Sequence, residues 1–300
     1  MHEDIRDKPY LLHKDILGLN FIREPGIYIY RKHYRSGLRS HIMQVLDPED
    51  IEKENKGVII NGLRWYPRAE PLKILRIFRK RFNTLEDAEE ELKRVKIIQT
   101  YLAPDYLAMP GEFLVDYSRH GRCDVLLCGL QEYVQGQILD PWGLLNRDHL
   151  ASFRSDMGFD NAEDSATLSD LWIRSVRERV QEFIKRLKQM ITETGHVPDL
   201  AGAGNLILTR SGNIKLVDIN NVSRVSFNPF ISLDDRGYPV CDKSIESLFL
   251  IEQKLLCRSS IRNGPIYDTF LDPERMKKVK ALDEEFQISM TAPISWPGSS

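Results

Sequence analysis

Three oxygen-bearing side chains near the middle of the chain are spaced so that folding would gather them. Residues 206–209 and 214–217 read as two short strands, joined by a tight turn at Ser211, Gly212 and Asn213. A turn this short fixes the strand pairing. Asn205, just before the first strand, and Asp218, just after the second, therefore lie at the same end of one hairpin. Asp199 sits in the loop feeding that end. Two carboxylates and an amide oxygen at one mouth are hard ligands that suit Mg²⁺ carrying substrate phosphates. A carboxylate not consumed by metal can orient a hydroxyl and accept its proton. That combination is the chemistry of phosphoryl transfer.

The elements that must position these residues are legible in part. A long helix is predicted over 169–194, with the stripe Ile173, Val176, Val180, Phe183, Leu187 and Met190 and a stop at Gly195. Upstream, a helix begins near Asn83 and Thr84. Glu86, Asp87, Glu89, Glu90 and Glu91 crowd its start, and Lys93, Arg94 and Lys96 follow, an order that complements the helix dipole. Its apolar stripe is Leu85, Ala88, Leu92, Val95 and Ile98, and Glu91 is the acidic residue that borders the buried face. Residues 20–48 and 57–66 read as strands with the charged segment 47–56 between them; residues 72–79 read as another strand. Residues 112–134 read as a strand pair turning at His120 and Gly121. An acidic loop follows over 156–170, with Asp160, Glu163 and Asp164.

The order of β-rich region, helix, strand pair, acidic hinge, long helix, catalytic-type loop, hairpin and aspartate resembles the protein-kinase-like superfamily. That superfamily includes protein kinases and the small-molecule kinases of the aminoglycoside and choline phosphotransferase type. The resemblance is sharpest over 199–220 and implies an α+β, two-lobed fold: a β-rich N-lobe with one key helix and a mainly helical C-lobe. The expected division is an N-terminal extension over 1–19, the N-lobe over 20–136, the C-lobe over 137–285 and a tail over 286–300. By the same resemblance Asp199 would be the catalytic aspartate, and Asn205 and Asp218 would hold Mg²⁺. Residues 130–136 would form the hinge, where backbone groups of Glu132 and Val134 face the adenine of ATP. Glu91 would pair with a strand cation, for which Arg76 is the better-aligned residue and Lys73 the rival. Asp242 would open a buried helix and steady the backbone of the catalytic loop.

The chain departs from the family pattern at several places. Six residues rather than five carry the chain from Asp199 to Asn205, through Ala201, Gly202, Ala203 and Gly204. The metal turn reads Asp218-Ile219-Asn220. No glycine-rich phosphate-covering loop is visible ahead of Arg76, and residues 47–56 fill its expected place. The implied activity is an atypical kinase-like phosphotransferase moving the γ-phosphate of ATP to a hydroxyl acceptor with Mg²⁺. The alternative is a pseudokinase that binds nucleotide or serves as a scaffold without turnover.

Composition narrows the partners. Of 300 residues, 42 are Lys or Arg and 44 are Asp or Glu, so the formal net charge of −2 argues against gripping nucleic acid by bulk positive charge. The basic string from Arg31 to Arg39, with His33 and Tyr34 interleaved, reads as a strand edge guarded by charge, with contact to nucleic acid or an acidic partner as the alternative. The four cysteines, Cys123, Cys128, Cys241 and Cys257, include no CxxC and suit a reducing cytoplasm. The start of the sequence lacks the basic and apolar runs of a signal peptide, and no apolar stretch approaches a membrane span. The expected partners are a nucleotide and an unidentified phosphoryl acceptor, small molecule or protein, with no membrane.

Overall fold

Alternation of apolar residues builds the first sheet. In a computed structural model, the structure describes residues 4–24, 26–34, 37, 39–119, 122–158, 166–256 and 264–291, with the backbone alone at 118, 119, 122, 123, 166 and 291. The chain divides into two units, Met1–Lys93 with Ala108–Tyr133, and Arg94–Leu107 with Val134–Ser300. The whole is a mixed α and β chain with an antiparallel, sheet-rich region and a set of helices.

The first unit runs α1 (His13–Leu17), β1 (Ile29–Lys32), β2 (Ser40–Leu46), α2 (Pro48–Lys56), β3 (Val58–Ile60), β4 (Leu63–Trp65), β5 (Lys73–Phe78), the start of α3 (Leu85–Leu102), β6 (Glu112–Arg119) and β7 (Arg122–Glu132). Five strands form an antiparallel sheet in the order β1-β2-β5-β7-β6. Side chains alternate along β5. Leu75 and Ile77 enter a cluster with Met43, Val45, Leu126 and Cys128, while Phe78 joins Ala88 of α3, Phe82 and Leu127 on the other face.

Of residues 1–19, expected as an extension, the described part, residues 4–19, supplies the cover for the first of those faces. Ile5, Leu11, Ile16 and Leu19 belong to the same cluster as β5 and β2. The charged segment 47–56, expected as a spacer, is the helix α2. Asp47 caps it by accepting from Glu49 N–H at 2.7 Å, and Pro48 occupies its first turn, where a missing N–H costs nothing. Apolar patterning could not reveal α2, because none of its residues is buried.

His41 ties the N-terminal segment to the sheet. Its Nε2–H donates to Ile5 O at 2.9 Å, and Nδ1 faces the Arg79 guanidinium at 3.4 Å. Burial, then the Arg79 charge, pushes the imidazole down to about 4. The unfolded chain therefore takes up a proton near pH 6.5 that the native protein refuses until about 4. This stabilisation is fully present above pH 6.5 and is lost as pH falls toward 4. It amounts to about 2–3 kcal/mol. Denaturant melts at stepwise pH should show the decline, and His41→Gln should flatten it; a slope unchanged in the variant would refute the assignment.

The second unit comprises the C-terminal part of α3, β8 (Gly136–Ile138), α4 (Arg147–Asp156), α5 (Ala166–Thr194), β9 (His196–Pro198), β10 (Leu206–Thr209), β11 (Ile214–Leu216), β12 (Val222–Arg224), α6 (Val240–Leu255), α7 (Pro265–Phe270) and α8 (Pro273–Thr291). The α5 stripe foreseen from the sequence is buried at all six positions. It packs with Ile245, Leu248 and Ile251 of α6 and with Leu206, Leu208, Ile214 and Leu216 of the hairpin. Gly195, at φ +65°, ends α5 in the left-handed conformation that glycine adopts without strain. The turn at His120 and Gly121 and the residues Asp160, Glu163 and Asp164 lie outside the described residues, as do Cys257 and the end of the tail.

Candidate functional site

The hairpin forms as its sequence requires. β10 and β11 pair antiparallel with Leu206 opposite Leu216, and Val217 N–H donates to Asn205 O at 2.8 Å. Asn205 thus faces Val217 at the open end, and Asp218 is the next residue out. A second ribbon, β9 with β12, brings in Asp199: Pro198 lies opposite Val222, and Asp199 N–H donates to Asn221 O at 2.9 Å.

The loop from Asp199 to Asn205 closes on itself. Asn205 Nδ2 donates to Asp199 O at 3.0 Å, and Asn205 N–H donates to Gly202 O at 3.0 Å. Glycine at 202 is a packing requirement, because a Cβ there would lie 2.4 Å from Asn205 Nδ2. Nδ2 being committed to the loop, Oδ1 is the free-lone-pair end of the Asn205 amide.

The Asp199 carboxylate accepts three hydrogen bonds. Oδ1 takes the N–H groups of Ala201 and Gly202 at 2.9 and 3.0 Å, and Oδ2 takes Asn221 Nδ2 at 3.1 Å. Its pKa is nevertheless raised, first by burial and then by the negative charge of Asp218; the three donors only partly offset this. Two carboxylates near enough to repel each other are a feature that a divalent cation would relieve. Asp218 and the amide oxygen of Asn205, the pair expected to hold Mg²⁺, are donor types that fit it. Among the described residues no group of three or more His, Cys, Asp and Glu gathers as a metal site.

Two serines of α6 hold the loop from below. Leu200 N–H donates to Ser244 Oγ at 3.1 Å, and Ser247 Oγ donates to Leu200 O at 3.0 Å. Asp242, expected in that role, does something else. It accepts Arg275 Nε at 2.5 Å and Nη2 at 3.2 Å, while Arg275 Nη1 donates to Asn228 O at 2.8 Å. The aspartate joins α6 to α8 and to the segment after β12. Neither Asn221 nor the serines was read from the sequence. The available signal was Ser244 and Ser247 three apart on an apolar helix face, since fully buried hydroxyls need partners.

The first unit holds the remaining expected residues. Arg76 is 7% exposed and Lys73 is exposed. They lie three apart on one strand and so face opposite sides. Arg76 shares the face of Phe78, against which α3 packs; Lys73 shares that of Leu75 and Ile77. Arg76 is thus the cation on the helix side. Register places Arg76, Gly129 and Glu112 in line across β5, β7 and β6. Glycine leaves the middle position bare, so the guanidinium charge reaches Glu112, whose carboxyl is raised by burial and partly restored by Arg76. Glu112 is a neighbour of Arg76 that sequence reasoning did not name. Glu91 accepts from Lys80 Nζ, a lysine just beyond β5.

In the expected hinge, β7 ends at Glu132. Glu132 N–H donates to Met109 O at 2.9 Å, and its carboxylate accepts Met109 N–H at 3.1 Å. That N–H is occupied by protein and is not the group left for a ligand. Val134 is half-buried and opens the second unit.

No family model matches the chain, and no curated protein matches it. A solved structure to which it is similar is the ROP18 kinase domain in complex with AMP-PNP and sucrose, at TM-score 0.37 and 10% identity, covering 88% of this chain and 83% of that one.

Proposed function

We propose that the chain is an atypical kinase-like phosphotransferase that moves the γ-phosphate of ATP to a hydroxyl acceptor with Mg²⁺. The observation that carries the reading is the convergence of Asp199, Asn205 and Asp218 at one end of two ribbons. Asp218 and Asn205 Oδ1 would hold the cation, which supplies charge neutralisation on the phosphates. Asp199 is the residue that orients the acceptor hydroxyl and receives its proton, and the upward shift caused by burial and then by Asp218 makes it a stronger base. Asn221 and the N–H groups of Ala201 and Gly202 fix its direction. The ordered loop keeps the reacting groups close, as positioning chemistry requires. Arg76 is our choice for the phosphate-side cation, on its burial and face. For nucleotide contacts, the backbone of Val134 and the carbonyl of Glu132 are preferred over the committed Glu132 N–H.

A second reading has its own support. The Asp199 carboxylate is already satisfied by three protein donors, which suits a pseudokinase that binds nucleotide without turnover. A thermal-shift series with ATP, with and without Mg²⁺, separates the two. At a hundredfold excess over Kd, binding should stabilise the protein by about 2.7 kcal/mol. We expect Mg²⁺-dependent stabilisation that Asp218→Asn removes, with ATP turnover lost in Asp199→Ala. Stabilisation without turnover in the intact chain selects the pseudokinase, and no stabilisation by ATP removes both.

A further inference from the structure

We propose that the first unit docks on anionic phospholipid surfaces, through the β3–β4 hairpin and the basic cavity at its base. The hairpin is a two-stranded ribbon of its own, with no ladder pairing to the five-stranded sheet. Asn61 and Gly62, at φ +51° and +80°, form its turn. Register puts Val58 beside Trp65 and Ile60 beside Leu63, so one face of the ribbon is wholly apolar. That face is open: Ile60 is 55% exposed, Leu63 75% and Trp65 64%. Ile59 on the other face is 70% exposed. A two-stranded ribbon with its apolar residues in water is marginal by itself, so a concentration of this kind marks a contact surface.

The second observation is independent and says what covers it. Directly after β4 the chain lines a cavity of about 410 Å³, open to solvent, whose walls include Arg31, Lys32, Arg68, Tyr34, Tyr66 and Glu54. Three cations stand there against one carboxylate. Arg31 is engaged within the protein, donating to Gln44 Oε1 at 2.9 Å, Glu54 Oε1 at 2.7 Å and Ala69 O at 3.2 Å, which leaves Lys32 and Arg68 as the cations for a headgroup. Cations and tyrosines lining one cavity suit a phosphate diester headgroup. The charge also discriminates among occupants: a second copy meeting this face through the same face would bring like cations together, whereas an anionic surface complements them. Three residues of strand make the ribbon about 10 Å long, comparable with the depth at which interfacial segments bed below headgroups. Tryptophan and tyrosine are the side chains favoured at that boundary. Docking of this kind needs no spanning segment, and no described helix is long and apolar enough to cross a membrane. The inference does not depend on whether the second unit turns over ATP.

The test is flotation of the full chain with vesicles of phosphatidylcholine alone or with about 30% phosphatidylserine. Binding is expected to the anionic vesicles only, to fall with about 0.5 M NaCl, and to shift Trp65 emission to shorter wavelength. Trp65→Phe should keep binding but lose that shift. Lys32→Glu with Arg68→Glu should weaken binding at least about tenfold, and Leu63→Ser with Trp65→Ser by a similar factor, with circular dichroism unchanged. Equal binding to neutral vesicles, or binding indifferent to the hairpin change, overturns the proposal. So does displacement by glycerol 3-phosphate at matched phosphate, which would make the cavity a site for free phosphate esters. Self-association abolished by the hairpin change, with no vesicle binding, would assign the ribbon to a second copy and also overturn it.

Discussion

Asp199→Asn is expected to reduce phosphoryl transfer by about a thousandfold, within the range for loss of a general base, and to raise the melting temperature of the unliganded protein. Both effects follow from one environment. Burial and the Asp218 charge raise the Asp199 pKa in the native state. The unfolded carboxyl ionises first as pH rises, so the native state is favoured by this group at low pH. That advantage is lost as pH climbs through the raised native value. At neutral pH an ionised Asp199 is therefore held at a cost, which asparagine removes. The side-chain oxygen can still accept from Ala201 and Gly202 N–H, and Asn221 can turn its amide over to present an oxygen to the new donor. Scanning calorimetry without nucleotide, set beside turnover at saturating ATP and Mg²⁺, reads both consequences. Lower thermal stability would show that the three hydrogen bonds outweigh the buried charge. Unchanged turnover would remove Asp199 from the chemistry. Asp218→Asn should also stabilise the unliganded protein, because it removes the repulsion from the other side.

The site was legible where local rules fix geometry and obscure where tertiary packing does. A short turn and a strict register were enough to set Asn205 and Asp218 at one end of the hairpin. The stripe of α5 was readable because its 3.6-residue period runs over many turns. The β9–β12 ribbon was not readable, because each of its strands has only three residues and alternation cannot be recognised over so short a span. Asn221 was missed for that reason. The choice between Arg76 and Lys73 needed to know which face of β5 carries α3, which is a property of the sheet and not of the strand. Glu91 was rightly located at the edge of the buried face, but a nearby Lys80 beyond the strand end supplies its observed ion pair. Asp242 shows the limit of carrying a role over from a resemblance. Its neighbours Ser244 and Ser247 hold the loop, and the aspartate serves an arginine 33 residues away.

Removing residues 1–19 should unfold the first unit. Among its described residues, 4–19, the regular structure is the five residues of α1, so its patterning resembles a tail. Its side chains contradict that. Ile5, Leu11, Ile16 and Leu19 are 4%, 1%, 0% and 5% exposed, and they form the cover for Leu75, Ile77 and Leu126. Burial of four such side chains contributes about 6–12 kcal/mol, comparable with the about 5–15 kcal/mol of net stability typical of a whole domain. Polar contacts fix the segment's register on the sheet. Asp4 accepts Arg6 Nη2 at 3.0 Å and Arg81 Nη2 at 3.1 Å, Arg6 also pairs with Asp124, and Arg79 Nη1 donates to Arg6 O at 2.9 Å. Burial would raise the Asp4 carboxyl, but Arg6 and Arg81 hold it well below the usual carboxylate range. The truncated chain should show hydrogen exchange without protection across β2, β5 and β7, with α5 and α6 judged separately. Ile16→Ala supplies a graded version, with an expected loss of about 2–5 kcal/mol in denaturant unfolding. Retention of protected amides in β5 after truncation would show that the sheet is stable with that face uncovered, and the segment would then be an extension after all.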